Sequence, residues 1–297
     1  MRFDWYQATI EADSFSVLSA VEKLGSFVER DDKIAKRYRY DQGFAVHHYE
    51  RGLVARVFWG GNGKNPHAFS SGQDTDAFVD LVRSEWPDRH LVTRLDSAED
   101  FYEEGAYDRI LRVSKRIAKD HRLQFPKIED ELNPIAGRTQ YIGGKTSDYR
   151  GRLYEKGWEV VQKSAERRGG FCTEFRGMVV NELTGEFIDP SIWVRLELQG
   201  RPSGEEARRA AAAASPSEAW TFTSWSTDLA REALSLEMER FYVRTRKFSK
   251  DEMAFRWMCK QYGAMLTRRL LSAGDWAAVG RDIGLMIGQS KSSSSND

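Results

Sequence analysis

Cysteine is scarce in this chain: Cys172 and Cys259 are the only two in 297 residues. Two thiols so far apart give no disulfide framework and no zinc spacing, and they read as ordinary reduced side chains. No apolar run approaches the ~20 residues needed to cross a bilayer. The opening Met1-Arg2-Phe3-Asp4-Trp5 sets an acid and an aromatic where a secretion signal needs an apolar stretch. A cytoplasmic protein without membrane attachment is therefore expected. The glycine-rich segment Gly60-Gly61-Asn62-Gly63-Lys64-Asn65-Pro66 lacks the spacing and the Lys-Ser/Thr ending of a phosphate-binding loop, and reads as a turn. There is no repeat at solenoid periods. Net charge is also missing: 45 basic and 45 acidic residues give +0, which argues against non-specific coating of nucleic acid.

The 40 % of hydrophobic residues suffices for a packed core, in one large domain or two modest ones. Charge is unevenly placed along the chain. Residues 88–108 hold seven acids and two bases, 138–170 hold eight bases and four acids, and 231–270 hold ten bases and five acids. An acidic centre between basic stretches suits an enzyme that holds a cation and grips phosphates, although three ordinary solvated surfaces would look the same.

The first sixty residues read as short strands, with a hairpin of 44–49 and 53–59 around Glu50-Arg51-Gly52. Helices are expected at 74–86, 104–121 and 160–168, and strands at 90–101, 139–142, 150–156 and 191–198. Beyond 200 the pattern turns helical. Leu234, Met238, Phe241 and Tyr242 share a face, and Ser249 and Glu252 form a capping box. The helix this box opens is expected to bury Phe255, Met258, Tyr262 and Met265. The fold class is therefore α+β, an antiparallel-sheet body with a helical C-terminal part. The expected division is a strand-rich catalytic body at 1–200, a linker or short helix at 201–217, a helical DNA-binding or accessory region at 218–288 and a disordered tail at 289–297.

Three strands carry the chemistry. Side chains alternate between faces, so Arg94, Asp96, Ala98 and Asp100 point one way. Two carboxylates flanking a small alanine leave room for a hard cation; two solvated acids on an exposed strand are the plainer alternative. On the next strand Arg150, Arg152, Tyr154 and Lys156 share a face. Cations beside a phenol attract phosphate and favour the phenolate, which is otherwise scarce at neutral pH; a surface strand of alternating bases fits equally. On the third, Val194, Leu196 and Leu198 form the buried side, and Arg195 and Glu197 the other. Glu197 either completes a metal site or pairs with Arg195. His47 and His48 are adjacent, so on a strand they face opposite ways, and they are left out of the site.

Together these segments resemble the replication initiators of small rolling-circle plasmids of staphylococcal type and the replication initiation factors of filamentous phages. The matching blocks are Thr93-Arg94-Leu95-Asp96-Ser97-Ala98-Glu99-Asp100, then Tyr141-Ile142-Gly143 with Ser147, Arg152, Tyr154 and Lys156, then Arg195-Leu196-Glu197. The similarity covers roughly 90–200. It implies a body like that of the HUH endonucleases and a DNA nicking and strand-joining enzyme. Tyr154 would attack the scissile phosphodiester. Asp96, Asp100 and Glu197 would hold Mg²⁺ or Mn²⁺ to polarise the phosphate. Lys156 and Arg152 would stabilise the added charge. The product would be a 5′-phosphotyrosyl link and a free 3′-hydroxyl. Implied partners are double- and single-stranded origin DNA and a host helicase and polymerase in a bacterial cytoplasm, with room for a homodimer. Arg150 and Lys145, with Arg244, Arg246 and Lys247 from the basic C-terminal segment, are the expected DNA contacts. Two rivals remain: a non-catalytic DNA-binding regulator, which has no need of Tyr154 and the three acids together, and a metal-dependent nuclease that uses water instead of Tyr154.

Overall fold

The computed structural model describes residues 1–236 and 250–293. Twelve strands form in chain order: β1 Arg2–Ile10, β2 Phe27–Arg30, β3 Gln42–His48, β4 Gly52–Trp59, β5 His67–Ser71, β6 His90–Tyr102, β7 Lys127–Ile128, β8 Thr139–Ile142, β9 Tyr149–Tyr154, β10 Val179–Val180, β11 Phe187–Ile188 and β12 Trp193–Gly200. The helices are α1 Ser14–Glu22, α2 Asp32–Arg37, α3 Thr75–Glu85, α4 Ala106–Asp120, α5 Lys156–Arg167, α6 Glu205–Ala213, α7 Ser224–Ala233, α8 Lys250–Ala273 and α9 Trp276–Ser293. Ten strands make one antiparallel sheet in the order β2-β3-β4-β5-β1-β6-β12-β9-β8-β7. The chain is α+β. None of its described helices is long and apolar enough to cross a membrane.

Strand alternation gives the sheet two unlike faces. On one, Tyr6, Ala8, Val57 and Leu95 pack against Val17 and Val21 of α1, Phe78 and Val82 of α3, and Ala211 and Ala212 of α6. Further along the same face, Leu153, Val194, Leu196 and Leu198 meet Ile110 and Ile117 of α4 and Leu229 and Ala230 of α7. The opposite face carries α5, whose Val161 packs with Trp193, Val179 and Ile188. Asp96 and Asp100 of β6, Arg152 and Tyr154 of β9, and Arg195 and Glu197 of β12 lie on this second face.

Three expectations need correction. The N-terminal sixty residues are not all strand. α1 forms because Val17, Ala20 and Val21 recur at helical spacing and the Asp13 side chain caps the Ser16 N–H; α2 follows β2. The body does not end at 200. One compact unit spans Met1–Val243 and a second spans Arg244–Asp297. Of the two readings of the alanine run the short helix holds: it is α6, whose small side chains let it lie close on β6. Trp220 is fully buried, and its Nε1 donates to Ser97 Oγ at 2.9 Å while that hydroxyl donates to the Pro216 carbonyl at 2.7 Å. Ser97 thus ties residues 216–220 to the sheet centre. Finally, α9 runs to Ser293, through most of the tail expected to be disordered.

In the second unit α8 and α9 form a helical pair joined at Gly274, whose φ of +88° suits a residue without a Cβ. Phe255, Tyr262 and Met265 are exposed, and Met258 half-buried, where burial was expected. Arg244, Arg246 and Lys247, with Met238, Phe241, Tyr242 and Ser249, lie outside the described residues.

Because Trp220 seals the core between α4, α7 and the sheet, Trp220→Ala should destabilise the body by ~3–5 kcal/mol. Urea denaturation followed by far-UV circular dichroism measures this. A loss below ~1 kcal/mol would mean that 201–233 does not belong to the cooperative unit.

Candidate active site

β6, β12 and β9 are consecutive neighbours in the sheet. The register sets Asp96 opposite Gln199, Ala98 opposite Glu197 and Asp100 opposite Arg195. Across the other edge of β12, Glu197 faces Arg152 and Arg195 faces Tyr154. Cross-strand partners project to the same side, so all seven polar residues stand together. On β1 the register shifts between Phe3 and Trp5, leaving Asp4 as the extra residue. This bulge turns Asp4 onto the polar face, where its Oδ1 accepts from Arg195 Nη1 at 2.8 Å and lies 2.7 Å from Arg2 Nη2. A cleft of about 840 Å³ opens here, lined by Asp4, Asp96, Tyr154, Lys156 and Glu197 among others.

Arg195 is 2 % exposed and organises the charges. Its Nε and Nη2 donate to the two oxygens of Asp100, both at 2.7 Å, and Trp193 Nε1 adds a third bond at 2.9 Å. Burying a guanidinium is costly, and two carboxylates compensate it. Both oxygens of Asp100 are thereby engaged. Arg195 pairs with Asp4 and Asp100, not with Glu197.

That leaves Asp96 and Glu197 with excess negative charge. Burial pushes the Asp96 carboxyl up, Asp4 adds to the shift, and the two bonds from Arg94 oppose it. Glu197 is pushed up to about 7 by burial and by the charges of Asp96 and Asp4, against Arg152 and Arg195. Burial works against the charge on Asp4 as well, but Arg195, Arg2 and Lys156 outweigh it and hold that carboxyl low.

Among the described residues no group of three His, Cys, Asp or Glu is arranged to hold a metal ion. The trio Asp96, Asp100 and Glu197 is not assembled, because Arg195 and Trp193 take Asp100. Asp96 and Glu197 remain. Two buried carboxylates that each resist ionisation suit a hard divalent cation, since Mg²⁺ commonly binds through one or two carboxylates plus phosphate and water.

Tyr154 ends β9 and is 2 % exposed, although it lines the cleft. Its hydroxyl donates to Glu197 Oε2 at 3.4 Å, a long contact. The guanidinium of Arg152 lies 3.8 Å from the ring centroid and Lys156 Nζ 5.9 Å. The pull of Arg152 toward the phenolate is too weak to produce the expected ionisation. Burial and the Glu197 charge hold the phenol well above its ordinary value, outweighing Arg195 and Arg152.

Lys156 is not on the strand face, because β9 stops at Tyr154 and Lys156 opens α5. Its amine still reaches the site, bonded to Glu159 Oε2 at 2.6 Å, and burial lowers its pKa. Arg150 stacks on Tyr141, 3.6 Å from the ring centroid, with its Nε buried and unpartnered. Lys145 is exposed in the β8–β9 turn and does not line the cleft. His47 lies against Glu29 and Phe27 on the β2–β3 strand pair, outside the cleft lining. Asp4 and Glu159 went unnoticed in the sequence. A bulge leaves no mark in strand alternation, but Lys156, Glu159 and Lys163 at three- and four-residue steps carry a legible helical signal.

No family model and no curated protein matches this chain. Among solved structures it is similar to a rolling circle replication initiator protein from Geobacillus stearothermophilus, with 20 % identity over 84 % of this chain and 89 % of that chain and a TM-score of 0.47. At that identity and TM-score the likeness carries no argument about chemistry.

The raised carboxyl of Glu197 predicts a pH effect. In the unfolded chain it titrates near 4.5, in the fold at about 7. Between those values the unfolded chain has released the proton and the fold retains it, so without a cation stability falls as pH rises through this window. Glu197→Gln should remove the loss. In EDTA at about pH 8 the variant should melt above the wild type, with a flatter profile between 4.5 and 7. Equal melting temperatures across that range would mean the cluster is not strained.

Proposed function

We propose that this protein nicks and rejoins one DNA strand, forming a covalent tyrosine intermediate, and so initiates rolling-circle replication at a phage or plasmid origin. The observation that carries this reading is the meeting, on one sheet face, of a cleft-lining phenol, a carboxylate hydrogen-bonded to it and converging cations. Phosphoryl transfer needs little more than a positioned nucleophile, a proton acceptor and stabilisation of charge on the phosphate.

Each residue has a role that follows from its place. Tyr154 Oη attacks phosphorus, the bond to the leaving 3′-oxygen breaks, and that oxygen takes up a proton to become a 3′-hydroxyl. The 5′-phosphate stays on the tyrosine, and return of the 3′-hydroxyl reseals the strand without a nucleotide. Glu197 Oε2, already bonded to the hydroxyl, accepts its proton. Arg152 and Lys156 stand beside the ring and offset the charge gathering on the phosphate. Arg195, locked to Asp100 and Asp4, positions β12 and lowers the cost of ionising Tyr154. Asp96 and Glu197 would hold Mg²⁺ or Mn²⁺, which when bound would supply Lewis-acid polarisation of the phosphoryl oxygen and offset the carboxylate charge that keeps the phenol protonated. The free 3′-hydroxyl is the primer a host polymerase needs, after a helicase has opened the duplex.

The burial of Tyr154 favours one rival, a nuclease in which water attacks and the phenol only orders Glu197. Incubation with labelled single-stranded origin DNA and Mn²⁺, followed by denaturing electrophoresis, separates the two. Our reading expects an SDS-resistant adduct, lost in Tyr154→Phe with DNA binding retained. Cleavage without an adduct favours the water route, and an adduct in the Phe variant moves the nucleophile to Tyr149 or Tyr141.

The cation has a readout that does not depend on cleavage. Saturating Mn²⁺ should raise the wild-type melting temperature, by ~2.7 kcal/mol of stability at a hundredfold excess over Kd. Asp96→Ala and Glu197→Gln should each lose most of this gain. Equal gains in all three proteins would place the cation elsewhere.

A further inference from the structure

The first turn of α5 carries a charge arrangement that the nucleophile and the metal do not account for. Glu159 sits at the meeting point of three cations. Its Oε2 is 2.6 Å from Lys156 Nζ, and its Oε1 is 3.3 Å from both Arg152 Nη2 and Lys163 Nζ. One carboxylate against three cations leaves two positive charges over. Burial opposes ionisation of Glu159, yet Lys156, Lys163 and Arg152 hold it down at about 2, so it is an anion at any working pH.

The position of this cluster matters as much as its charge. Arg152, Tyr154, Glu159 and Lys163 line the large cleft and also a second cavity of about 210 Å³. The Arg152 guanidinium covers the Tyr154 ring, and its Nε is buried with no partner. The helix turn itself is fixed: a Cβ on Gly157 would lie 2.3 Å from the Pro190 carbonyl oxygen, so backbone meets backbone there. Any change at this point therefore falls on the side chains and not on the helix backbone. A phosphodiester presents one negative charge on two oxygens, as a carboxylate does, and accepts the same charge-assisted bonds.

We propose that Lys163 extends the scissile-phosphate cations Arg152 and Lys156 into a subsite that also takes the neighbouring phosphodiester of the DNA strand, and that Glu159 is its built-in occupant, displaced when the strand enters. The proposal rests on DNA being the substrate of the cleft. Glu159 then acts as a gate against small anions. A lone phosphate must win three cations from a tethered carboxylate, whereas a strand with several other contacts shares that cost among them. Lys163, absent from the sequence-based site, becomes a DNA-binding residue, and Glu159 a specificity-determining one.

The test uses the full chain and a fluorescent single-stranded oligonucleotide, with anisotropy read across a salt series and adduct formation read on the same samples. Glu159→Gln should bind about two- to fivefold more tightly at low salt, the scale of one partly exposed ion pair. Its dependence on salt should steepen, because solution anions then occupy the vacated cations and are released by DNA. Lys163→Ala should bind more weakly, its slope of log affinity against log salt shallower by up to ~0.7. Lys163 is half exposed, so this variant decides the matter if Glu159→Gln does not fold. Unchanged or weaker binding by a folded Glu159→Gln, or an unaltered slope in Lys163→Ala, would reduce the cluster to a structural ion-pair network and overturn the proposal. A wild-type adduct with no gain in Glu159→Gln sinks the subsite alone. A gain without any wild-type adduct supports the subsite and sinks the covalent reading.

Discussion

Arg195 lies at the centre of the sheet, and its choice of partners decides what the other charged residues can do. It binds both oxygens of Asp100 and one of Asp4, so two of the four central carboxylates share one guanidinium, and Arg2 adds a second cation on Asp4. Arg94 engages Asp96. Glu197 is left as a buried acid whose recorded hydrogen bond is a long one from a phenol. An uncompensated carboxylate in a protein interior is expensive, and the cost appears here as a proton held to about pH 7. The same imbalance accounts for the neutral phenol of Tyr154, for the affinity proposed for a divalent cation and for the predicted loss of stability with rising pH.

The strand faces were legible in the sequence because period-two alternation needs no tertiary information. Arg94, Asp96 and Asp100 on β6, Arg152 and Tyr154 on β9, and Arg195 and Glu197 on β12 fall on one side of adjacent strands, as alternation requires. Which acid binds which cation was not legible. Asp100 had the same claim to a metal as Asp96 until β12 set Arg195 directly opposite it. The end of β9 was misplaced by two residues, enough to move Lys156 from strand to helix. The benefit of cations to Tyr154 was overestimated, because sequence spacing shows neighbours but not burial.

The limits of the body were the least legible feature. An alanine-rich run after a Gly-Pro-Ser cluster fits a short helix as well as a linker, and only its contact with β6 shows that the helix belongs to the core. Trp220 closes the face opposite the cleft through its bond to Ser97, which stands in the same strand as Asp96 and Asp100. One strand thus carries polar chemistry on one side and a structural clasp on the other. The rigidity of the clasp fixes the register on which the carboxylate geometry depends.

The most direct test of the central claim, that Tyr154 is where DNA becomes attached, is peptide mapping of the adduct. Trypsin should release residues 153–156 from their neighbours at Arg152 and Lys156, and mass spectrometry of the nuclease-trimmed adduct reads which tyrosine carries the nucleotide. The account predicts the added mass on Leu153-Tyr154-Glu155-Lys156. The same mass on a peptide containing Tyr141 or Tyr149 instead, or cleaved DNA with no modified tyrosine, would contradict it.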